Sequence, residues 1–213
     1  MSRIAIKTCG LSTPETVGAA VRAGASHLGF IHFPKSPRHV DADRTKALAN
    51  AVPSHVGRVA VMVDADDEQI APLIATGALT ALQLHGKESP QRVAAIRQRF
   101  ALPVWKAISV KTRADIEAAS AYAGAADLLL FDAKTPEGTL PGGMGLRFDW
   151  TLLRNAAPSL PWGLSGGLSA DNVCEAIRLT AASLVDVSSG IEDAPGIKSV
   201  DKITAFCKAV SAC

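Results

Sequence analysis

Residues 4–23, IAIKTCGLSTPETVGAAVRA, decide the fold that the sequence predicts. The short apolar run Ile4–Cys9 is typical of a buried strand, and the Ala-rich segment Pro14–Ala23 has the period of a helix. Ser12 or Thr13 stands just before Pro14, and a hydroxyl residue followed by proline marks the first turn of a helix. A strand followed directly by a helix indicates parallel strands whose faces are covered by helices.

The same alternation continues along the 213-residue chain. The predicted strands are Ile4–Cys9, His27–Phe33, Val56–Val63, Ala81–Leu84, Val104–Ile108, Asp127–Phe131, Trp162–Leu164 and Leu184–Val187. The predicted helices lie near Pro14–Ala23, Ala42–Ala51, Glu68–Ala75, Pro90–Phe100, Ala114–Ala119, Trp150–Ala156, Ala170–Leu179 and Val200–Val210. Eight such units in slightly more than 200 residues fall at the lower end of the size range of a closed barrel. We therefore predict the α/β class, with residues 1–213 as a single (β/α)8 TIM barrel. The rival is an open doubly wound sheet, whose dinucleotide-binding version needs a G-x-G-x-x-G motif that does not follow the first strand.

Composition excludes several classes of function. A hydrophobic share of 48% and a charged share of 20% indicate a globular protein rather than a disordered one. The net charge is only +2 and no basic block occurs, so neither nucleic acid nor a membrane surface is an expected partner. No apolar run reaches the roughly 18 residues of a membrane span, and no signal peptide is recognisable. The four cysteines lack a C-x-x-C pair and zinc-like spacing, so we expect reduced thiols, no metal and a cytoplasmic location.

The candidate site consists of the residues that follow each strand, because parallel α/β folds carry their chemistry at the carboxyl ends of the strands. Cys9 ends the first strand, and Lys7 lies on the same side of that strand two residues earlier. A neighbouring ammonium lowers the pKa of a thiol from its free value of about 8.5, which enriches the thiolate. Cys9 is therefore a candidate base or nucleophile, and the alternative is a small buried hydrophobic residue.

Asp132 is the acid at the end of the otherwise apolar sixth strand. It is either a cap or a general acid, because a pocket of low dielectric raises the pKa of a carboxyl group and keeps its proton available. Ser165-Gly166-Gly167 and Ser188-Ser189-Gly190 follow the seventh and eighth strands, where barrels of this class often bind phosphate on backbone N–H groups. Gly142-Gly143-Met144-Gly145 is either a third contact or a flexible loop. Arg38 follows Pro34 and Pro37, and it is either a planar carboxylate ligand or a solvated surface residue.

These stretches together resemble the phosphoribosylanthranilate isomerase family of tryptophan biosynthesis. The resemblance rests on residues 7–11, 29–38, 82–86, 130–132, 142–145, 148–150, 166–168 and 186–192, in the order that the family keeps. It implies an Amadori rearrangement of N-(5′-phosphoribosyl)anthranilate to its 1-deoxyribulose isomer, without cofactor or metal. The resemblance further implies that Asp132 is the general acid and Cys9 the general base. Arg38 would bind the anthranilate carboxylate, and Gly166, Gly167, Ser189 and Gly190 would bind the phosphate. Asp186, Gln83 and His85 are expected to contact the substrate.

Two other functions stay open at this point. One is a related barrel isomerase of histidine biosynthesis, which is expected to carry an aspartate where this chain has Cys9. The other is a phospho-ligand-binding barrel without catalysis. The expected partner is a small phosphorylated substrate, and the protein is expected to be a monomer or a homodimer.

Overall fold

A computed structural model describes residues 4–136, 139 and 142–213. Its eight strands form a closed parallel barrel in sequence order, so the predicted (β/α)8 barrel is confirmed. The strands are β1 (Ala5–Cys9), β2 (His27–His32), β3 (Gly57–Met62), β4 (Ala81–Leu84), β5 (Val104–Val110), β6 (Leu128–Ala133), β7 (Trp162–Leu164) and β8 (Leu184–Val187). The barrel closes between β8 and β1, where Lys7 is in register with Asp186.

Seven α-helices pack outside the barrel among the described residues. They are α1 (Pro14–Arg22), α2 (Ala42–Ala49), α3 (Asp67–Ala75), α4 (Pro90–Phe100), α5 (Arg113–Ala118), α6 (Val173–Thr180) and α7 (Val200–Ser211). Thr13 and Ser89 cap α1 and α4, because each hydroxyl oxygen accepts the N–H three residues later and proline follows each cap. Within the described ranges, no helix is both long and apolar enough to cross a membrane.

Two regions differ from the predicted elements. The helix predicted at Trp150–Ala156 is a short 3-10 turn, Trp150–Leu153, and Asn155 takes a left-handed backbone conformation (φ 59°) that stops further helix. After β8 the chain forms a 3-10 turn at Ser189–Ile191 and an unpredicted hairpin of β9 (Glu192–Ala194) and β10 (Ile197–Lys198). This hairpin projects from the carboxyl end of the barrel and brings two charged side chains to the site.

The strands alternate their side chains between the barrel interior and the helices, as the period of two requires. An apolar floor fills the lower interior with five buried side chains: Val59, Ala81, Trp105, Leu130 and Leu184. The larger apolar clusters lie between the strands and the helices. Polar side chains of the same strands, among them Lys7, Gln83 and Asp186, are buried above the floor. The interior is therefore apolar below and charged near the mouth.

The expectation of four reduced thiols is wrong for one pair. Cys174 in α6 and Cys213 after α7 form a disulfide, with Cα atoms 5.3 Å apart, whereas Cys9 and Cys207 are free and buried. The two bonded residues are 39 positions apart, so no local spacing motif marks them, and the packing of α6 against α7 brings them within bridging range. The bond ties the last helix to its neighbour.

Candidate active site

The mouth of the barrel holds two adjoining cavities. The reaction cleft is lined by residues that include Cys9, Arg38, Gln83, His85 and Asp132. The glycine pocket is lined mainly by residues 142–146, 165–168 and 188–189. The two share six lining residues: Asp132, Gly142, Gly143, Ser165, Asp186 and Ser188. One elongated ligand can therefore occupy both cavities.

Cys9 lies beside a buried ion pair. Lys7 is fully buried, and its Nζ is 2.9 Å from Oδ1 of Asp186 across the β1–β8 seam. Gly29 on β2 makes room for this group, because a Cβ atom there would be 2.7 Å from Sγ of Cys9 and 3.1 Å from Nζ of Lys7. The structure thus brings Asp186 to Lys7 and the thiol.

The expectation that Lys7 lowers the pKa of Cys9 overall is wrong. Burial raises the pKa of the Cys9 thiol above its ordinary value, and the carboxylate of Asp186 adds to that shift. Lys7 and Lys198 act in the opposite direction without overcoming burial. The main cause is burial of the thiol; in addition, Asp186 offsets much of the charge of Lys7, and the sequence of β1 does not reveal this partner.

Asp132 lies within a chain of hydrogen-bonding groups at the ends of β4 and β6. Its Oδ2 is 3.0 Å from Nε2 of His85, and Nδ1 of His85 is 3.2 Å from the side-chain nitrogen of Gln83. The other carboxyl oxygen of Asp132 accepts the N–H of Ala133 at 2.8 Å. Gly142 leaves this group open from above, because a Cβ atom there would be 3.1 Å from Oδ2. Both oxygens of Asp132 are therefore held in fixed directions inside the reaction cleft.

Arg38 is buried in the cleft wall, not solvated on the surface. Its guanidinium makes a two-point contact with Glu192 of β9, with Nε 2.6 Å from Oε1 and Nη2 2.7 Å from Oε2. Nη2 also donates to the carbonyl of Gly143 at 3.0 Å. The edge of Arg38 that suits a planar carboxylate is thus occupied by Glu192, a partner that the sequence did not indicate.

Gly166 and Gly167 form one wall of the glycine pocket. Both have left-handed backbone conformations, with φ of 87° and 64°, and a Cβ atom on Gly166 would be 2.7 Å from the N of Ala133. Their N–H groups donate no hydrogen bond to any described residue, so both are available to an anion. Ser189 lines the pocket opposite them.

Gly190 does not line either cavity. It is packed against the carbonyl of Leu168, with no space for a side chain. Its predicted contact with phosphate is therefore not apparent in the lining, and the need for glycine there comes from close packing. The loop at Gly142 and Gly143 contributes to both cavities, which favours its interpretation as a ligand contact.

Two functional candidates were not predicted from the sequence. Glu192 and Lys198 lie on the hairpin after β8, and Nζ of Lys198 is 2.8 Å from Oε1 of Glu192. Glu192 stands in the stretch 186–192 that carries part of the family resemblance, so its position in that motif was the available signal. In the parts of the chain that the structure describes, no cluster of three or more His, Cys, Asp or Glu side chains is arranged to hold a metal ion.

Comparison with known proteins identifies relatives along nearly the whole chain. A family model described as N-(5'phosphoribosyl)anthranilate (PRA) isomerase matches residues 6–209. N-(5'-phosphoribosyl)anthranilate isomerase of Azorhizobium caulinodans is 53% identical over 210 residues, covering 98% of this chain and 92% of that protein. The enzyme of the same name from Zymomonas mobilis subsp. pomaceae is 50% identical over 205 residues, covering 96% of each.

Solved structures agree with the sequence relatives. Phosphoribosyl anthranilate isomerase from Thermotoga maritima has a TM-score of 0.88 and 34% identity, covering 99% of this chain and 100% of that one. A structure of a phosphoribosyl anthranilate isomerase in complex with reduced 1-(o-carboxyphenylamino)-1-deoxyribulose 5-phosphate has a TM-score of 0.83 and 31% identity, with coverage of 99% and 100%.

Proposed function

The chain belongs to the N-(5'-phosphoribosyl)anthranilate isomerase family, and from that premise we propose how its residues carry out the reaction. The enzyme acts in tryptophan biosynthesis and isomerises N-(5'-phosphoribosyl)anthranilate, an aldose derivative, to 1-(2-carboxyphenylamino)-1-deoxyribulose 5-phosphate, a ketose. This rearrangement opens a sugar ring and moves a proton from one carbon, so it needs a positioned acid and a positioned base.

Asp132 is the general acid. It donates its proton to the ring oxygen of the ribose, and the bond between that oxygen and C1′ breaks to leave a Schiff base. The carboxylate that remains accepts a hydrogen bond from Nε2 of His85, 3.0 Å away. The amide of Gln83 donates to Nδ1 of His85, which keeps the ring proton on Nε2. His85 and Gln83 thus stabilise the charge that forms on Asp132.

Cys9 is the general base. Its thiolate removes the proton from C2′ of the Schiff base, giving an enolamine that tautomerises to the ketone. Burial raises the pKa of this thiol, so only a fraction of the protein carries the thiolate at neutral pH. In exchange, a thiolate of raised pKa is a stronger base toward carbon. Lys7, paired with Asp186, keeps a donor beside the sulfur in both protonation states.

Arg38 attracts the anthranilate carboxylate by its charge. Because Glu192 occupies Nε and Nη2, the substrate carboxylate meets the remaining face of the guanidinium, near Gly143. The phosphate binds in the glycine pocket beside Ser189, on the N–H groups of Gly166 and Gly167, which donate to no residue that the structure describes. Gly190 supports this wall by its packing against Leu168.

The observation that carries this assignment is the shared reaction cleft: Cys9 and Asp132 line one cavity, and Asp132 also borders the glycine pocket. A sugar held by its phosphate can then meet an acid and a base together. The same observation weighs against a barrel that only binds phospho-ligands. The Cys9 thiol at the end of β1 weighs against the histidine-pathway isomerase, which is expected to carry an aspartate there.

The test is the loss of anthranilate fluorescence when purified enzyme turns over N-(5'-phosphoribosyl)anthranilate. Asp132→Asn and Cys9→Ala are each expected to lower kcat by about 10²–10⁴-fold. Arg38→Ala is expected to act mainly on KM. Asp193→Asn, which changes an exposed carboxylate of β9, is the matched control and keeps activity. Full turnover by Cys9→Ala would remove the thiol from the mechanism.

Three further expectations belong to this proposal. Residues 1–213 act as one catalytic domain. The protein is a monomer or a homodimer. Because monomers have been generated from the dimeric Thermotoga maritima enzyme, light scattering of the purified protein is the direct measurement. The cytoplasmic location also stays a prediction. It is tested by the state of Cys174 and Cys213 in protein trapped with a thiol-blocking reagent at lysis, because a reducing compartment favours free thiols.

A further inference from the structure

Lys198 lies against the turn that carries Cys9. It belongs to β10 and is only 9% exposed. Its Nζ donates to the carbonyl of Ser188 at 2.8 Å and lies 3.1 Å from the hydroxyl of the same residue. That hydroxyl donates in turn to the carbonyl of Cys9 at 3.3 Å. Gly10 leaves space for the ammonium, because a Cβ atom there would be 3.3 Å from Nζ. The hairpin thus delivers a buried cation to the backbone around the thiol.

Two groups of charged side chains lie around the reaction cleft, and only one of them is neutral as a group. Lys7 and Asp186 form a one-to-one pair at 2.9 Å, which has no net charge. Glu192 is shared, since one of its oxygens is 2.8 Å from Nζ of Lys198 and both oxygens bind the guanidinium of Arg38. One carboxylate between two cations leaves a surplus of one positive charge. A buried surplus charge is costly unless a negative group binds near it.

We propose that Lys198 is a positioning residue for the reaction base: it holds the Cys9 turn through Ser188 and supplies the uncompensated positive charge that stabilises the thiolate. Glu192 partly neutralises that charge, because it contacts Lys198 and Arg38 at the same time. The inference rests on the proposed role of Cys9 and adds to it a residue that touches neither substrate nor reacting atom.

The groups that face the thiol act with different signs. Burial raises the pKa of Cys9, Lys7 and Lys198 lower it, and Asp186 raises it. Burial also lowers the pKa of Lys198, and its contacts with Glu192 and Cys9 oppose that shift, whereas Arg38 adds to it. Arg38, His85 and Asp132 line the same cleft. Removal of Lys7 would leave Asp186 unpaired beside the sulfur. Removal of Lys198 leaves Glu192 paired with Arg38, so it tests the charge at the thiolate without exposing a new carboxylate.

The experiment measures the thiol directly, without substrate. Cys9 is alkylated with iodoacetamide over a range of pH, and the modified peptide is quantified by mass spectrometry. Cys207 is fully buried, and Cys174 and Cys213 are bonded to each other, which isolates the signal of Cys9. Lys198→Met is expected to slow alkylation about tenfold at a pH below the thiol midpoint, since the thiolate is the reacting form. Lys208→Met, which removes an exposed lysine of α7, should leave the rate unchanged.

A second variant should change the alkylation rate of Cys9 in the opposite direction, and it tests the proposal even if Lys198→Met does not fold. Glu192→Gln removes the negative charge next to Lys198, so alkylation of Cys9 should become several-fold faster. General loosening of the site would instead move both variants in one direction. The proposal is overturned if Lys198→Met reacts at the wild-type rate, or if Glu192→Gln slows the reaction. Full turnover by Cys9→Ala would refute the proposed base but would not alter these alkylation rates.

Discussion

Acidification from about pH 7.5 to about pH 5 is expected to destabilise the barrel through two half-buried histidines. Burial lowers the pKa of His27 to about 4, and the charge of Lys7 adds to this shift. Burial also lowers the pKa of His32 to about 4, with a further contribution from His39. His27 packs edge-on against Trp105, with ring centroids 5.1 Å apart, in a space left by Gly57. Protonation of either ring therefore destabilises the folded protein.

The sign follows from the two protonation states. In the unfolded chain both rings bind a proton below about pH 6.5, whereas in the folded chain they stay neutral down to about pH 4. Their contribution to stability is therefore complete above pH 6.5 and is lost as the pH falls toward 4. For one group the full linkage value at pH 5 is about 2 kcal/mol, and partial contact with water reduces the expected loss to about 1–2 kcal/mol for each ring.

The assay is urea unfolding at the two pH values, followed by circular dichroism. The wild type should lose about 2–4 kcal/mol between them through the two rings together. His27→Gln and His32→Gln should each remove about half of that pH dependence, whatever they do to stability at neutral pH. His55→Gln changes an exposed ring and is the matched control. Equal pH dependence in the wild type and in the variant lacking both rings would refute the reasoning.

Three other perturbations test separate parts of the structure. Reduction of the Cys174–Cys213 bond should lower the free energy of unfolding by about 3–4 kcal/mol, because the bond closes a segment of 39 residues. In urea unfolding, Cys213→Ser should be as stable as the reduced wild type, and its stability should not change when a reductant is added. Gly29→Ala puts a methyl group 2.7 Å from Sγ of Cys9, so kcat/KM should fall at least about tenfold and stability by about 1–3 kcal/mol; a fully active variant would contradict this geometry. Phe206→Ala empties a fully buried site in α7 and should cost about 3–5 kcal/mol in urea unfolding while kcat stays unchanged.

The elements of the barrel were largely predictable because local signals agree with the tertiary environment. Ala81–Leu84 and Pro90–Phe100 have the predicted bounds, since each begins or ends at a turn or cap that the sequence marks. The failure at Trp150–Ala156 has a cause that local spacing does not show. Its apolar spacing suits a helix, but the left-handed conformation of Asn155 depends on the chain's path to β7. Periodicity alone carries no information about that path.

The site was predictable only in part. The rule that parallel strands present their carboxyl ends at one mouth was enough to bring Cys9, Gln83, His85 and Asp132 together. It did not predict Glu192 and Lys198, because they lie on a hairpin whose position depends on contacts with Arg38 and Ser188. The direction of the pKa shift of Cys9 was missed for the same reason. It depends first on how deeply the fold buries the thiol, and then on which charges the fold brings near it.

The apolar floor divides the barrel along its axis into a lower part that determines stability and an upper part that determines the reaction rate. Three of its five side chains, Ala81, Leu130 and Leu184, lie on β4, β6 and β8, the strands that carry Gln83, Asp132 and Asp186 at the mouth. A replacement in the floor is therefore expected to appear as a change in melting behaviour, and a replacement at the rim as a change in rate. For protein engineering, the lower half is a base on which new rim loops can be built, provided that the strands keep their register.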